Sequence, residues 1–217
     1  MNDTLNIYET FSSIQGESTH AGRLCFFIRL AGCNLRCSYC DTRKAQSPSS
    51  GKPRTLDELV RAAEQSGLRL VEITGGEPML QPAVTELCRR LLERGFEVLM
   101  ETNGSVELAA VPRGVRRIID WKTPFSGEAE KMLDSNFLNL RPGDEIKFVI
   151  AGRNDYNAAL DVIRRFRIAE HATILFAPVF GEIEPRTLVE WMLADRVPAR
   201  LNLQLHKVIW SPDAEGV

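Results

Sequence analysis

Three cysteines lie within eight residues, in the segment CNLRCSYC that runs from Cys33 through Cys37 to Cys40. Thiolates are the usual protein ligands of iron–sulfur clusters. A cube of four irons held by three cysteines keeps one iron without a protein ligand, and such an open position can bind a small molecule, as it does on a catalytic zinc. The spacing therefore indicates a [4Fe–4S] cluster, one per chain, with one reactive corner.

Two other uses of these thiols stay open. A structural zinc site normally takes four Cys or His ligands in paired spacing, and neither His20 nor His206 is spaced from the triplet in that way. A non-catalytic electron carrier is the other use, although it gains from four protein ligands. The remaining cysteines, Cys25 and Cys88, fall within a predicted strand and a predicted helix and are expected to pack as small hydrophobes. Five cysteines are an odd number, which argues against a disulfide framework.

The composition is that of an ordinary globular protein, with 44% of the 217 residues hydrophobic and 26% charged. This length suits one compact domain, 1–217. The formal net charge of −2 argues against general nucleic-acid binding, which needs many Lys and Arg. No apolar run approaches the ~20 residues of a membrane helix, and the polar start MNDTLNIYETFSS lacks a signal-peptide core. We therefore expect a cytoplasmic protein that binds neither nucleic acid nor membrane.

Strand and helix patterns alternate along the chain, which predicts right-handed βαβ units and a mostly parallel sheet. Apolar runs bounded by turn residues predict strands at 24–30, 68–74, 96–100, 116–120, 145–150, 173–177 and 200–204. Helices are predicted at about 55–66, 82–95, 155–166 and 185–194, the first with a capping box from Thr55 to Glu58. The segment 45–54 is rich in Ser, Pro and Gly, which predicts a surface loop.

The length also limits the architecture. A closed eight-stranded barrel typically needs ~250 residues, so the pattern predicts an α/β fold with a partial, incomplete TIM-like barrel of mostly parallel strands. Ligands in such folds bind at the carboxyl ends of the strands. Polar or glycine-rich segments follow the predicted strands: GCNLRCSYCD, TGGEP, ETNG, DWKTP and APVF. We expect them to converge on one rim, beside a cluster loop at about residues 31–54.

Two motifs in this order resemble the radical S-adenosylmethionine (SAM) superfamily. The CxxxCxxC triplet follows the first barrel strand and has an aromatic residue, Tyr39, before its last cysteine. The GGEP motif at residues 75–78 follows the next strand. Flanking segments narrow the resemblance to the 7-carboxy-7-deazaguanine synthase family over about residues 7–210: IQGES (14–18), CDT (40–42), ITGGEP (73–78), ETNG (101–104), DWKTP (120–124) and QLHK (204–207).

The resemblance implies a ring-contracting carbon–nitrogen lyase on the path to the modified tRNA nucleoside queuosine. A reduced cluster would donate an electron to SAM, and the 5′-deoxyadenosyl radical would abstract hydrogen from C6 of 6-carboxy-5,6,7,8-tetrahydropterin. Rearrangement and loss of ammonia would give 7-carboxy-7-deazaguanine, with SAM regenerated. The resemblance also implies Mg²⁺, an electron donor such as flavodoxin or ferredoxin, and a homodimer. A radical SAM activase that takes hydrogen from a partner protein remains a rival.

The resemblance assigns contacts with SAM to Tyr39, Cys40, Asp41, Gly75, Gly76, Glu77, Asp120, Trp121, Lys122, Ala177, Pro178, Val179 and Phe180. Glu77 and the backbone of the two glycines suit the methionine ammonium, because carboxylates and carbonyls accept its hydrogen bonds. Lys122 suits the methionine carboxylate. A plain turn with a solvated glutamate, and an exposed lysine at a strand end, are the alternatives.

Contacts with the substrate are implied in the same way for Ile14, Gln15, Gly16, Glu17, Arg29, Thr74, His206 and Val217. The Gln and Glu side chains suit the donor-rich pyrimidine edge of a pterin. Arg29 lies in an apolar strand and needs an anion, either the substrate carboxylate or a structural ion pair. His206 is either a substrate contact or structural, whereas His20 and His171 are expected at the surface. Thr42 is the implied protein ligand of Mg²⁺, which prefers oxygen.

Overall fold

The computed structural model describes residues 3–211, 214 and 216–217 and arranges them around one nine-stranded sheet. The strands are β1 (Thr4–Ile14), β2 (Leu24–Leu30), β3 (Lys52–Thr55), β4 (Leu70–Gly75), β5 (Glu97–Thr102), β6 (Arg116–Trp121), β7 (Glu145–Ile150), β8 (Thr173–Pro178) and β9 (Ala199–Leu201). The helices are α1 (Leu56–Gln65), α2 (Val84–Glu93), α3 (Asp134–Leu138), α4 (Arg153–Phe166), α5 (Pro185–Asp195) and α6 (Leu205–Ile209). Within these residues, no helix combines the length and apolarity needed to cross a bilayer.

The strand order across the sheet is β3-β1-β2-β4-β5-β6-β7-β8-β9. β1 pairs antiparallel with β2 and β3, and every other neighbouring pair is parallel. β3 and β9 lie at the two edges of the described sheet, so the sheet is open and the predicted partial barrel is confirmed. All the strands predicted from the sequence form, and their ends shift by up to three residues.

The sequence patterns miss β1 and β3, which form the antiparallel side of the sheet. β1 is mostly half-buried, so it lacks a long apolar run, and its pairing comes from backbone contacts with β2. The segment 45–54 lies mostly at the surface, as predicted, but it is not a plain loop, because Ala45 is fully buried and Lys52–Thr55 forms β3. The capping box between Thr55 and Glu58 is confirmed, and it starts α1 directly after β3. The short helices α3 and α6 were also not predicted.

One face of the sheet packs against helices, and the other encloses the candidate site. Side chains alternate along β4, so that Val71 and Ile73 belong to the helix-covered core, whereas Leu70, Glu72 and Thr74 point the other way. Five buried apolar residues of this inner face form one small cluster: Cys25, Phe27, Leu70, Leu99 and Ile118. The polar residues of the same face line a cavity.

The connection between β1 and β2, residues 15–23, packs across the amino-terminal ends of the parallel strands. Thr19 N donates to Glu145 at the start of β7 (3.0 Å), and the His20 ring lies 3.0 Å from Glu97 at the start of β5. The expectation that His20 lies at the surface is wrong, since it is 7% exposed. Charged residues at strand ends therefore hold this connection, which carries residues 15–17 into the cavity.

Candidate active site

A cavity of about 720 Å³ opens at the carboxyl ends of the parallel strands. Its walls come from the cysteine loop after β2, from the inner face of every parallel strand between β2 and β8, and from α6. All the site residues predicted from the sequence line this cavity except Glu77 and Trp121. The predicted convergence of polar segments on one rim is therefore present, and the two exceptions need a separate explanation.

The three cysteines lie in the loop after β2, and backbone contacts fix the course of this loop. Gly32 N donates to Ala45 O (2.8 Å), and Cys33 N donates to Gln46 O (3.0 Å). The Arg36 guanidinium turns back and donates to Cys33 O (2.8 Å). The loop is thus closed on itself by residues on both sides of the triplet, and all three thiols reach the cavity.

The turn after β4 lies directly against the start of the cysteine loop. Gly76 N donates to Leu30 O (3.0 Å), and Glu77 N donates to Gly32 O (2.8 Å). A Cβ at Gly76 would overlap Gly32 O, and one at Gly75 would overlap Leu30 O. Gly75 also has a φ of +130°, which favours glycine. Both glycines are therefore required by the contact between the two segments, whatever the cavity binds.

Glu77 does not face the cavity, and its predicted contact with the methionine ammonium is corrected. The residue is 0% exposed, and its carboxylate accepts hydrogen bonds from Met79 N (2.9 Å), Thr102 Oγ1 (2.8 Å) and Asn103 N (2.7 Å). Asn103 Nδ2 donates in turn to Asn34 Oδ1 in the cysteine loop (3.0 Å). Burial raises the pKa of Glu77, whereas these donors favour its charged form. Glu77 thus ties the turn after β4 to the end of β5.

The Trp121 side chain points away from the cavity, so the predicted contact of this residue with SAM stays a prediction for its backbone. Its ring packs against Phe137 and Phe166 in the helix-covered core, with centroids 4.5 and 5.6 Å apart. Asp120 and Lys122 line the cavity. Because side chains alternate along an extended chain, the residue between them faces the opposite side.

The thiols of the cysteine loop fit a [4Fe–4S] cluster by number and position. Cys33, Cys37 and Cys40 are free and partly exposed, whereas Cys25 and Cys88 are buried in the core, as predicted. Burial raises the pKa of Cys33 and of Cys37, the latter to about 11, so their thiolate forms need positive charge nearby. Among the described residues, no three His, Cys, Asp or Glu side chains are close enough together to bind one metal ion. This spacing is compatible with a four-iron cube, because each cysteine binds a different iron at a separate corner.

Two buried polar atoms beside the cysteines lack a partner among the described residues. They are the Tyr39 hydroxyl and Asp120 Oδ1, and both residues line the cavity. Lys122 Nζ lies 2.8 Å from Asp120 Oδ2 and 5.7 Å from the centre of the Tyr39 ring. Burial would lower the pKa of Lys122, but Asp120 raises it, so the amine stays charged. Because buried polar groups are normally hydrogen-bonded, this corner fits a polar ligand such as SAM.

A buried lysine that was not predicted from the sequence joins several acidic residues of the cavity. Lys147 Nζ lies 3.1 Å from Glu17 Oε2 and 3.7 Å from Asp120 Oδ2, and it also contacts Glu101. Burial would lower the pKa of Lys147, but these carboxylates raise it well above its usual value. The sequence feature that could have identified Lys147 is its charge within a mostly apolar strand, EIKFVI. Glu72 in VEIT has the same feature. Such charges are typical of a functional site.

Arg29 faces the cavity with a carboxylate already beside it. Its Nε donates to Glu9 Oε1 (2.9 Å), so an ion pair is present, and its side chain keeps 20% exposure. The guanidinium also approaches Thr42 Oγ1 (3.5 Å), which itself donates to Asp41 Oδ1 (2.9 Å). Partial burial would raise the pKa of Asp41, but Lys207, 3.2 Å away, holds it well below the usual value. Cations and anions thus alternate around Thr42.

The helix α6 brings His206 to the cavity against the connection between β1 and β2. Leu205 N donates to Gly16 O (2.9 Å), and a Cβ at Gly16 would lie 2.5 Å from His206 Nδ1. Gly16 is therefore needed for this close contact. Burial lowers the pKa of His206, which keeps its ring neutral at neutral pH. Val217 lines the cavity as well.

Comparisons of the sequence with known proteins agree along nearly the whole chain. The family model described as the Radical SAM superfamily matches residues 27–192. A protein of Chlorobaculum tepidum named 7-carboxy-7-deazaguanine synthase is 47% identical over 216 residues, which cover 98% of this chain and 97% of that protein. One of the same name from Koribacter versatilis is 38% identical and covers 98% of this chain and 100% of its own length.

Solved structures show the same fold at lower sequence identity. The crystal structure of QueE from Escherichia coli has a TM-score of 0.78 and 23% identity, and the match covers 94% of this chain and 95% of that one. The crystal structure of Streptococcus suis SuiB has a TM-score of 0.54 and 15% identity, over 80% of this chain and 46% of SuiB.

The structural role of Glu77 predicts the effect of its removal on stability. Glu77→Ala should lower the free energy of unfolding of the cluster-free protein by about 2–3 kcal/mol, because buried donors lose their acceptor. Urea unfolding measures this, with Glu182→Ala as the control at an exposed glutamate of the cavity rim. Unchanged stability together with weaker SAM binding would instead support a direct contact between Glu77 and the methionine ammonium group.

Proposed function

The chain belongs to the 7-carboxy-7-deazaguanine synthase family of the radical SAM superfamily, and from this premise we propose how its residues work. It is a radical SAM lyase of 7-deazapurine biosynthesis, which converts 6-carboxy-5,6,7,8-tetrahydropterin into 7-carboxy-7-deazaguanine with loss of ammonia. The observation that carries this conclusion is the match with synthases over nearly the whole chain. This match does not favour an activase or a non-catalytic metal-binding module.

Residues near the cysteine loop are proposed to hold two cofactors, the cluster and SAM. The cluster and SAM, when bound, supply reductive cleavage of SAM and abstraction of hydrogen from the substrate. We assign Cys33, Cys37 and Cys40 as the protein ligands of the cluster, because they are the thiols in the cavity. Tyr39 and Asp120 would hold SAM through the buried atoms that have no partner among the described residues.

The remaining contacts with SAM come from backbone and charge. Lys122 stays cationic beside Asp120 and suits the methionine carboxylate. Gly75 and Gly76 offer backbone groups at the cavity wall, and residues 177–180 after β8 form the facing wall. Asp41 lies next to the cysteine ligands and completes this half of the site.

The other half of the cavity holds the substrate. Arg29 would grip its carboxylate, since a guanidinium can donate two hydrogen bonds and the Arg29 side chain still faces the cavity. Ile14, Gln15, Gly16 and Glu17 enter from the connection between β1 and β2. Further cavity residues close the substrate in and are proposed contacts: Thr74, His206 and Val217.

Thr42 is the proposed protein ligand of Mg²⁺. Its hydroxyl lies between the Arg29 guanidinium and the Asp41 carboxylate. An ion held there would stand beside the substrate carboxylate that Arg29 binds. Magnesium usually keeps several waters and takes few protein ligands, which suits a single hydroxyl at this place.

The compartment, the electron donor and the oligomeric state of the protein are also proposed. Free thiols and a reducible cluster need a reducing compartment, so we propose a cytoplasmic location. The electron for SAM cleavage would come from a carrier such as flavodoxin or ferredoxin. We further propose that the chain acts as a single radical SAM domain, 1–217, in a homodimer.

The proposed reaction is tested anaerobically with the cluster rebuilt from iron and sulfide. Wild type, given reductant, SAM, Mg²⁺ and the carboxylated tetrahydropterin, should release ammonia and form the deazapurine. Cys37→Ala should lose SAM cleavage and product, whereas Cys88→Ala, which removes a buried core thiol, should keep both. Full turnover by Cys37→Ala, or no deazapurine from loaded wild type, contradicts the proposal.

The magnesium assignment predicts a separate effect. Loss of a group that merely orients a metal ligand typically costs about 10–100-fold in metal affinity, so Thr42→Val should raise the half-saturating Mg²⁺ concentration by at least about tenfold. Thr42→Ser keeps the hydroxyl and should stay close to wild type. A Mg²⁺ titration of turnover measures both variants, and identical curves for Val and Ser would rule out this ligand.

A further inference from the structure

Glu72 is a buried acid on the inner face of the sheet that has no part in the site described so far. It lies in the middle of β4, is 2% exposed, and lines the cavity. Its strand neighbours Val71 and Ile73 belong to the helix-covered core. The alternation of β4 therefore points the Glu72 carboxyl into the cavity, next to the apolar cluster of the inner face. This inner end of the cavity, lined by Glu72 and Phe27, is called its floor below.

The protein supplies this carboxyl with few hydrogen bonds. In the part of the chain that the structure describes, it accepts one, from Gln15 Nε2 at 2.5 Å to Oε2. A carboxylate can accept on both oxygens, so the second oxygen remains available to a molecule in the cavity. Glu77, equally buried, accepts three hydrogen bonds. Glu72 thus accepts fewer hydrogen bonds from the protein than Glu77, a buried acid with a structural role.

The surroundings of Glu72 make ionisation costly in the free protein. Burial raises the pKa of Glu72 to about 8, and the nearby carboxylates of Glu101 and Glu17 act in the same direction. Gln15 and Lys147 oppose the shift. Donors supplied by a ligand would stabilise the carboxylate, because a buried charge needs hydrogen bonds in place of water.

The register of the sheet relates Glu72 to the proposed carboxylate site. Arg29 pairs with Thr74, and Phe27 pairs with Glu72, in the parallel ladder of β2 and β4. Glu72 therefore lies one inward position, about 6.6 Å along the strand, closer to the floor than Thr74. In a 6-carboxypterin the carboxylate and the 2-amino group lie at opposite ends of the bicyclic ring. A substrate held by Arg29 at the rim would thus present its amino edge towards the floor.

We propose that Glu72 binds the 2-amino and N3–H edge of the tetrahydropterin, with Gln15 beside it, and so determines specificity for that edge. The inference rests on the proposed function and deepens it. Two adjacent N–H donors match the two oxygens of one carboxylate. An analogue with an oxygen in place of the 2-amino group would place a hydrogen-bond acceptor against the Glu72 carboxylate, which is itself an acceptor. The analogue should therefore bind more weakly, because the buried carboxylate oxygen is left without a donor.

The rival role is that Glu72 merely anchors Gln15. Both roles predict weaker substrate binding after Glu72→Gln, so the test compares two ligands. One is 6-carboxytetrahydropterin, and the other is its 2-oxo counterpart, 6-carboxytetrahydrolumazine. Affinities are measured by equilibrium dialysis on enzyme loaded with cluster, SAM and Mg²⁺ without reductant, so that no turnover occurs. Glu182→Gln, at the exposed rim of the same cavity, is the matched control.

Glu72→Gln should bind the pterin at least about tenfold more weakly, the loss expected for a hydrogen bond to a charged group. It should bind the 2-oxo analogue as well as wild type or better, because the new amide can donate to that oxygen. Glu182→Gln should leave both affinities unchanged. Equal weakening for both ligands, or none for the pterin, overturns the role of Glu72. Wild type that fails to bind the pterin overturns the proposed function as well.

A pH series adds a readout that a structural role would not move. The ligand prefers ionised Glu72, so its affinity for wild type should rise with pH from about 6 and level off above the pKa of about 8. The other groups that face Glu72 include Glu101, Glu17, Lys147, Gln15 and the Cys25 thiol, and all of them remain in the variant. Glu72→Gln should remove this part of the slope, and an unchanged slope counts against the proposal.

Discussion

The position of the cysteine loop depends on the close contact between the turn after β4 and the start of that loop. Gly75 and Gly76 lie against Leu30 and Gly32 with no room for a Cβ on either glycine. Two backbone hydrogen bonds join the segments, and Glu77 ties the same turn to β5 from below. The start of the cysteine loop is therefore held against neighbouring strand ends, and hydrogen bonds within the loop fix the rest of its course. The position of the thiols, and hence of anything they bind, follows from these contacts.

A second constraint acts on the charges inside the barrel. Lys147 and Lys122 are buried and stay cationic because carboxylates surround them. Glu17, Glu101 and Asp120 are paired with these amines. Glu72 forms no such ion pair among the described residues and accepts a single hydrogen bond, from Gln15, so one of its oxygens remains available to a ligand. The cavity thus combines buried polar atoms without a partner among the described residues, near the cysteines, with the Glu72 carboxyl further inside, and these are the places that we propose for SAM and for the amino edge of the substrate.

Much of this arrangement could be predicted from the sequence, and the misses have physical causes. The cysteine triplet, the parallel strands and the rim were readable because each depends on local spacing or on apolar runs. The position of the Trp121 ring could not be predicted, because a motif does not record the alternation that points this side chain into the core. Glu77 was misassigned because its partners, Thr102 and Asn103, are distant in sequence. The strand β1 and the buried His20 depend on pairing with other strands, which a single sequence does not reveal.

The central claim is that three thiolates hold a four-iron cube and leave one iron open to SAM. Electron paramagnetic resonance of the reduced, anaerobically rebuilt protein, recorded with and without SAM, tests it most directly. We predict a [4Fe–4S] signal that SAM changes in wild type, because SAM would bind at the iron that the three cysteines leave open. A spectrum that SAM leaves unaltered, or purified protein that carries zinc in place of iron, would contradict the account.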